Sequence, residues 1–75
     1  MQKQNLKVGA IYNLKYWKTL TVPVRVLKIG MYKVEIQYLD PQTLEVKAVP
    51  NPPVYGAFSE AVPFARIKSE YQGAN

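Results

Sequence analysis

From Val22 to Val49 the chain reads VPVRVLKIGMYKVEIQYLDPQTLEVKAV, and its apolar and polar positions alternate. Tyr32, Val34, Ile36 and Tyr38 are separated by Lys33, Glu35 and Gln37, the period of two that marks a strand with one buried and one wet face. Val22, Val24 and Val26 share a face before this run. Leu44, Val46 and Ala48 share one after it, with Glu45 and Lys47 on the other side. The pattern predicts a three-stranded antiparallel meander with one apolar side.

Facing residues must lie on the same side of a sheet, because a one-residue slip turns a strand inside out. Parity then sets Val26 opposite Tyr32 and Val24 opposite Val34. Lys28, Ile29 and Gly30 are left as a three-residue turn whose last position suits a left-handed glycine. The second hairpin sets Ile36 opposite Val46, Val34 opposite Ala48 and Glu35 opposite Lys47. Asp40 and Pro41 begin the connection, Asp opening a turn and Pro presetting φ.

Outside the meander the pattern is weaker. Residues 1–6 read as a leader, 7–68 as a single domain and 69–75 as a polar tail. Val8 to Leu14 reads as a first strand with Ala10, Tyr12 and Leu14 on one face and a bulge or bend at Gly9. Lys15 to Thr21 connects it to the meander. Pro50, Pro52 and Pro53 cannot continue a central strand and stiffen a loop that carries Tyr55 and Phe58. Ser59 to Val62 allows one helical turn capped by Ser59 and halted before Pro63. Phe64 to Ile67 follows as a last short strand, and its pattern leaves open which side is buried.

Seventy-five residues make one domain at most and bury only about 60% of the unfolded surface. With no cysteine to staple the chain, a redundant core, a partner or assembly into a homo-oligomer has to supply the stability margin. The polar amino terminus and the absence of any long apolar run lead us to expect neither signal peptide nor membrane span, and so a soluble, cytoplasmic protein. Net charge is +5, unevenly spread: residues 1–33 hold seven basic and no acidic side chains, residues 34–75 three basic and five acidic. Such asymmetry suits a polyanionic partner, either nucleic acid or an acidic protein surface, and it also serves simple solubility.

Five strands with a central meander, a long first connection and a helical turn before the last strand resemble the SH3-like small β-barrels, including Tudor-like and KOW-like modules. Tyr16 and Trp17, Val24 to Ile36, and Val62 to Ile67 carry the resemblance. It implies an all-β, five-stranded SH3-like barrel. The main competitor, an OB-fold, wants a longer helix than residues 50–63 provide. Plasmid-type dihydrofolate reductases are similar small barrels with a similar ending. Their nucleotide-binding segment is expected where this chain reads VYGAFSE, so their activity is not carried over.

Histidine and cysteine are both absent, which removes the usual general base, the thiol nucleophile and most zinc or copper sites. No glycine-rich phosphate loop is present. We therefore expect no enzyme and no cofactor. The leading expectation is a binding module that meets nucleic acid through Lys15, Lys18, Arg25, Lys28 and Lys33, with Tyr16 and Trp17 as stacking groups. Alternatively, Trp17 or Leu20 folds back to plug one end of the barrel, leaving the lysines solvated. Arg25 opposite Lys33 would be a like-charge pair that an anion could bridge. The alternative is a self-associating protein-interaction or assembly module, of a phage or mobile-element kind, using Leu27, Met31, Tyr55 and Phe58. A third, more remote option is an enzyme that works only as an oligomer around a shared pore.

Overall fold

Alternation of Val, Ile and Tyr with polar residues produces strands wherever the backbone is free to extend, and among the described residues turns fall at Gly9 and at Asp40–Pro41. The structure, a computed structural model, describes residues 5–17, 20–47 and 59–71. Within them are β1 (Ile11–Trp17), β2 (Leu20–Ile29), β3 (Lys33–Tyr38), β4 (Ser59–Pro63), a 3-10 turn (Phe64–Arg66) and β5 (Ile67–Glu70). The protein is all-β: one five-stranded sheet in the order β4-β3-β2-β1-β5, with every pairing antiparallel.

One face of this sheet is the core. Tyr12 and Leu14 of β1, Val24 and Val26 of β2, and Val34, Ile36 and Tyr38 of β3 are buried, as are Val62 and Ile67 on the edge strands. Burying each aliphatic side chain contributes about 1.5–3 kcal/mol. The connection between the edge strands dictates curvature. Four inter-strand spacings of about 4.8 Å would hold β4 and β5 about 19 Å apart in a flat sheet. Pro63 and Ile67 are joined by three residues, a reach of at most about 15 Å and about 8 Å as a 3-10 turn. The sheet is therefore curled, with Phe64 packed against the core across the gap, and no pairing joins β4 to β5 among those described.

Several expectations are corrected. Val26 faces Ile36 and Val24 faces Tyr38, a shift of four residues from the expected partners. Because four is even, every inward residue stays inward except Tyr32, which leaves the strand and is 80% exposed. The turn is Met31–Tyr32, closed by the Gly30 N–H donating to the Lys33 carbonyl at 2.9 Å. Gly30 has no left-handed φ; its lack of a side chain matters because a Cβ would sit 2.9 Å from the Lys33 oxygen.

Leu44 to Val46 forms no strand against β3. Asp40 Oδ1 accepts the N–H groups of Gln42 and Thr43, and the Asp40 N–H donates to the Glu45 carbonyl at 2.8 Å. Leu44 is forced to φ 60°, outside extended backbone. Asp40 does open the turn, but the returning chain makes one bridge, Leu39 to Val46, and Val46 is left exposed. Strand β4 takes the place beside β3. Glu35 accordingly lies level with Ala61 and Lys28, not Lys47, and Ala48 is outside the described residues.

The first connection is short: β1 continues to Trp17, which pairs with Leu20, and only Lys18 and Thr19 intervene. Residues expected as a helical turn, Ser59 to Val62, are strand. The 3-10 turn follows Pro63, whose φ of −62° suits entry to a turn, so the last strand starts at Ile67 and takes in Ser69 and Glu70 from the expected tail, of which residues 72–75 lie outside the described residues. At the other end Leu6 is buried in the core, and the Tyr12 hydroxyl accepts the Lys7 N–H at 2.8 Å. Gly9 provides the expected bend at φ 89°.

Candidate functional site

The solvent face of the central strands is defined by the register. Ile11, Arg25, Gln37 and Ser59 form one transverse row. Toward one end lie Asn13, level with buried Pro23, and Ser69, then Thr21 and Lys15. Toward the other lie Lys28 and Glu35, and beyond them Lys33 level with Pro63. Lys15, Lys28 and Lys33 are exposed and Arg25 half-buried. Glu35 is the only carboxylate on β1, β2 and β3.

These cations form a line. Lys15 is level with Thr21, seven residues before Lys28 on β2, which separates them by about 23 Å at about 3.3 Å per residue. Arg25 faces Gln37 instead of Lys33, so the expected like-charge pair is absent and no single small anion spans both. A repeating anion could meet all four in sequence.

The β2–β3 end of this face is also apolar. Leu27 is the extra residue of a bulge between Val26 and Lys28 and is 38% exposed; Met31 is 72% exposed beside Tyr32. Leu27 and Met31 do not face one another as expected. The sequence pattern missed Tyr32 because alternation alone places it inside; the signal that could have found it is a two-residue turn in place of three.

The other end of the sheet holds Tyr16, Tyr38, Glu60 and Arg66. Tyr16 is the extra residue of the β1 bulge, and its ring meets Tyr38 edge-on, with centroids 6.4 Å apart. The Tyr38 hydroxyl donates to Glu60 Oε2 at 2.5 Å. Burial, reinforced by that bond, pushes the Tyr38 phenol well above the ordinary tyrosine range, with Arg66 acting in the opposite direction. Arg66 Nε donates to the Lys15 carbonyl at 3.1 Å. Tyr16 thus packs against the core, away from the cationic face. Of the other expected site residues, Lys18, Tyr55, Phe58 and the Trp17 side chain lie outside the described residues.

No group of three or more acidic side chains that could hold a metal occurs among the described residues, and none of their helices is long and apolar enough to cross a membrane. Fold and face together define a small all-β protein with a cationic outer surface. No protein-family model, no curated protein and no solved structure matches the chain.

Proposed function

We propose that this protein is a non-catalytic binding module that meets nucleic acid through the solvent face of β1, β2 and β3, with Lys15, Arg25, Lys28 and Lys33 contacting successive phosphates. The carrying observation is the line of four cations against one carboxylate, interleaved with Asn13, Gln37 and Ser59 on the same face. Phosphate contacts from such a line position a ligand and supply affinity with little sequence preference. We propose that the curled sheet is of the SH3-like small-barrel kind. Strand order, and a 3-10 turn immediately before β5 that returns to β1, support that reading.

An NMR titration with short single- and double-stranded oligonucleotides tests the function. Shifts should gather on residues 11–15, 21–28 and 33–37. For four phosphates on a single strand, the logarithm of affinity should fall with the logarithm of salt at a slope of about −3. A flat salt response, or shifts confined to β4 and β5, would overturn the proposal. The second reading, a self-associating interaction module, is favoured by the exposure of Leu27 and Met31. Light scattering on the wild type and on Leu27→Ser with Met31→Ser decides it: a monomer unaffected by both changes removes it.

A further inference from the structure

We infer that Tyr32 at the β2–β3 turn is a base-stacking group, so that the ligand of the cationic face is single-stranded nucleic acid; this rests on the nucleic-acid reading above. Tyr12 and Tyr38 of the same chain are wholly buried, whereas Tyr32 is 80% exposed and outside the core cluster. Its ring therefore contributes nothing to packing and stands free in water.

The backbone that carries the ring is nevertheless fixed. A two-residue turn closed by the Gly30 to Lys33 hydrogen bond presents it, with a glycine where any side chain would collide with the Lys33 carbonyl. Lys33 is its chain neighbour, and Lys28 lies two pairs down the same hairpin, level with Glu35. Exposed Met31 and Leu27 extend the apolar surface beside it. An aromatic face bordered by cations, at the end of a line of further cations, is the arrangement that takes an unpaired base while the phosphates follow the groove.

Duplex readout fits poorly. The major groove admits an α-helix or a two-stranded ribbon, and no α-helix occurs among the described residues. The β2–β3 hairpin is not a free ribbon, because β4 accompanies β3 as far as the Lys33 to Pro63 pair. Among the described residues only the turn of this hairpin projects beyond its neighbours, and a single ring there can reach a splayed base but not a paired one.

Fluorescence anisotropy with labelled twelve-residue oligothymidine and a hairpin duplex of mixed sequence separates the possibilities. Tyr32→Ala should weaken oligothymidine binding about 5- to 150-fold with an unchanged salt slope, and Tyr32→Phe should restore it. Duplex affinity should change by less than about twofold for both, on the stacking argument. Lys28→Gln should instead lower the salt slope by about 0.7. Wild-type binding to oligothymidine that survives Tyr32→Ala, or an equal loss for both ligands, overturns the stacking role while leaving the cationic face intact. No binding of either oligonucleotide by the wild type overturns the nucleic-acid reading itself, and a protein partner would then be the occupant of the turn.

Discussion

The Tyr38 phenol should make this protein lose stability at alkaline pH in a way that one substitution abolishes. Tyr38 is wholly buried as a residue, and its hydroxyl donates to Glu60. At neutral pH, Tyr38→Phe removes that bond. Hydrogen bonds to charged groups contribute about 1.5–3 kcal/mol, but Glu60 is exposed and its carboxylate recovers water, so the expected cost is about 1 kcal/mol, nearer the neutral value. Above about pH 10 wild type begins to lose its advantage. The folded-state pKa is raised, first by burial and then by Glu60, so the stabilisation is complete below the unfolded value of about 10 and is lost as pH climbs through the interval up to the folded value. The unfolded state releases the proton first and gains up to about 1.4 kcal/mol per pH unit. Solvent near Glu60 reduces this, by about half in a partly screened site.

The variant lacks this titration entirely. Its stability should start about 1 kcal/mol below wild type at pH 7, and the two curves should cross between about pH 11 and 12. Urea unfolding followed by far-ultraviolet circular dichroism at pH 7, 10, 11 and 12 measures the difference directly. Contributions common to the two proteins cancel in the difference. Parallel curves, with the variant losing stability as steeply as wild type above pH 10, would refute the assignment of a buried, hydrogen-bonded phenol.

Three further outcomes follow from local geometry. Leu44 sits at φ 60°, which costs a side-chain-bearing residue about 1–2 kcal/mol; Leu44→Gly should be neutral or stabilising by up to about 1 kcal/mol in thermal unfolding, and a loss beyond that would refute the strain. Gly30→Ala should cost about 1–2 kcal/mol and displace amide signals over residues 29–34, because the new Cβ meets the Lys33 carbonyl. Tyr12→Phe should lower stability by about 1 kcal/mol and speed hydrogen exchange at the Lys7 amide, whose N–H the hydroxyl accepts; unchanged exchange at Lys7 would count against that tie.

Much of the core was legible because alternation is a property of side chains and survives errors of pairing. Tyr12, Leu14, Val24, Val26, Val34, Ile36 and Tyr38 all face inward as their period of two requires. The third meander strand was not legible, because Leu44, Val46 and Ala48 alternate as well as any real strand. What excludes them is Asp40, whose carboxylate captures two backbone N–H groups and so fixes a loop that a pattern of hydrophobicity does not encode. Pairing of β3 with β4 needed knowledge of where residues 59–63 return, a long-range contact with no local signal. The short run after Pro63 divides in the same way: parity leaves its buried side open, and because Phe64–Arg66 form a 3-10 turn, Phe64 packs against the core and Ile67 is buried as well.

Register carries the consequence for function. Parity constrains a regular hairpin only to even shifts. A slip of four residues therefore keeps the face assignments of Val24 and Val26, while the Leu27 bulge turns Lys28 outward and the slip changes what lies at the turn. That is where the chain differs most from expectation: Lys28 and Ile29 move from the turn into the strand, and Met31 and Tyr32 move from the strand into the turn. Arg25 loses Lys33 as a neighbour and gains Gln37, which spreads the cations from a local cluster into a line. A cluster recognises a compact anion, whereas a line with an aromatic at its end recognises a chain of anions with rings attached. On the proposed nucleic-acid reading, the placement of one turn therefore decides between a compact anion and a chain of anions as the ligand of this face.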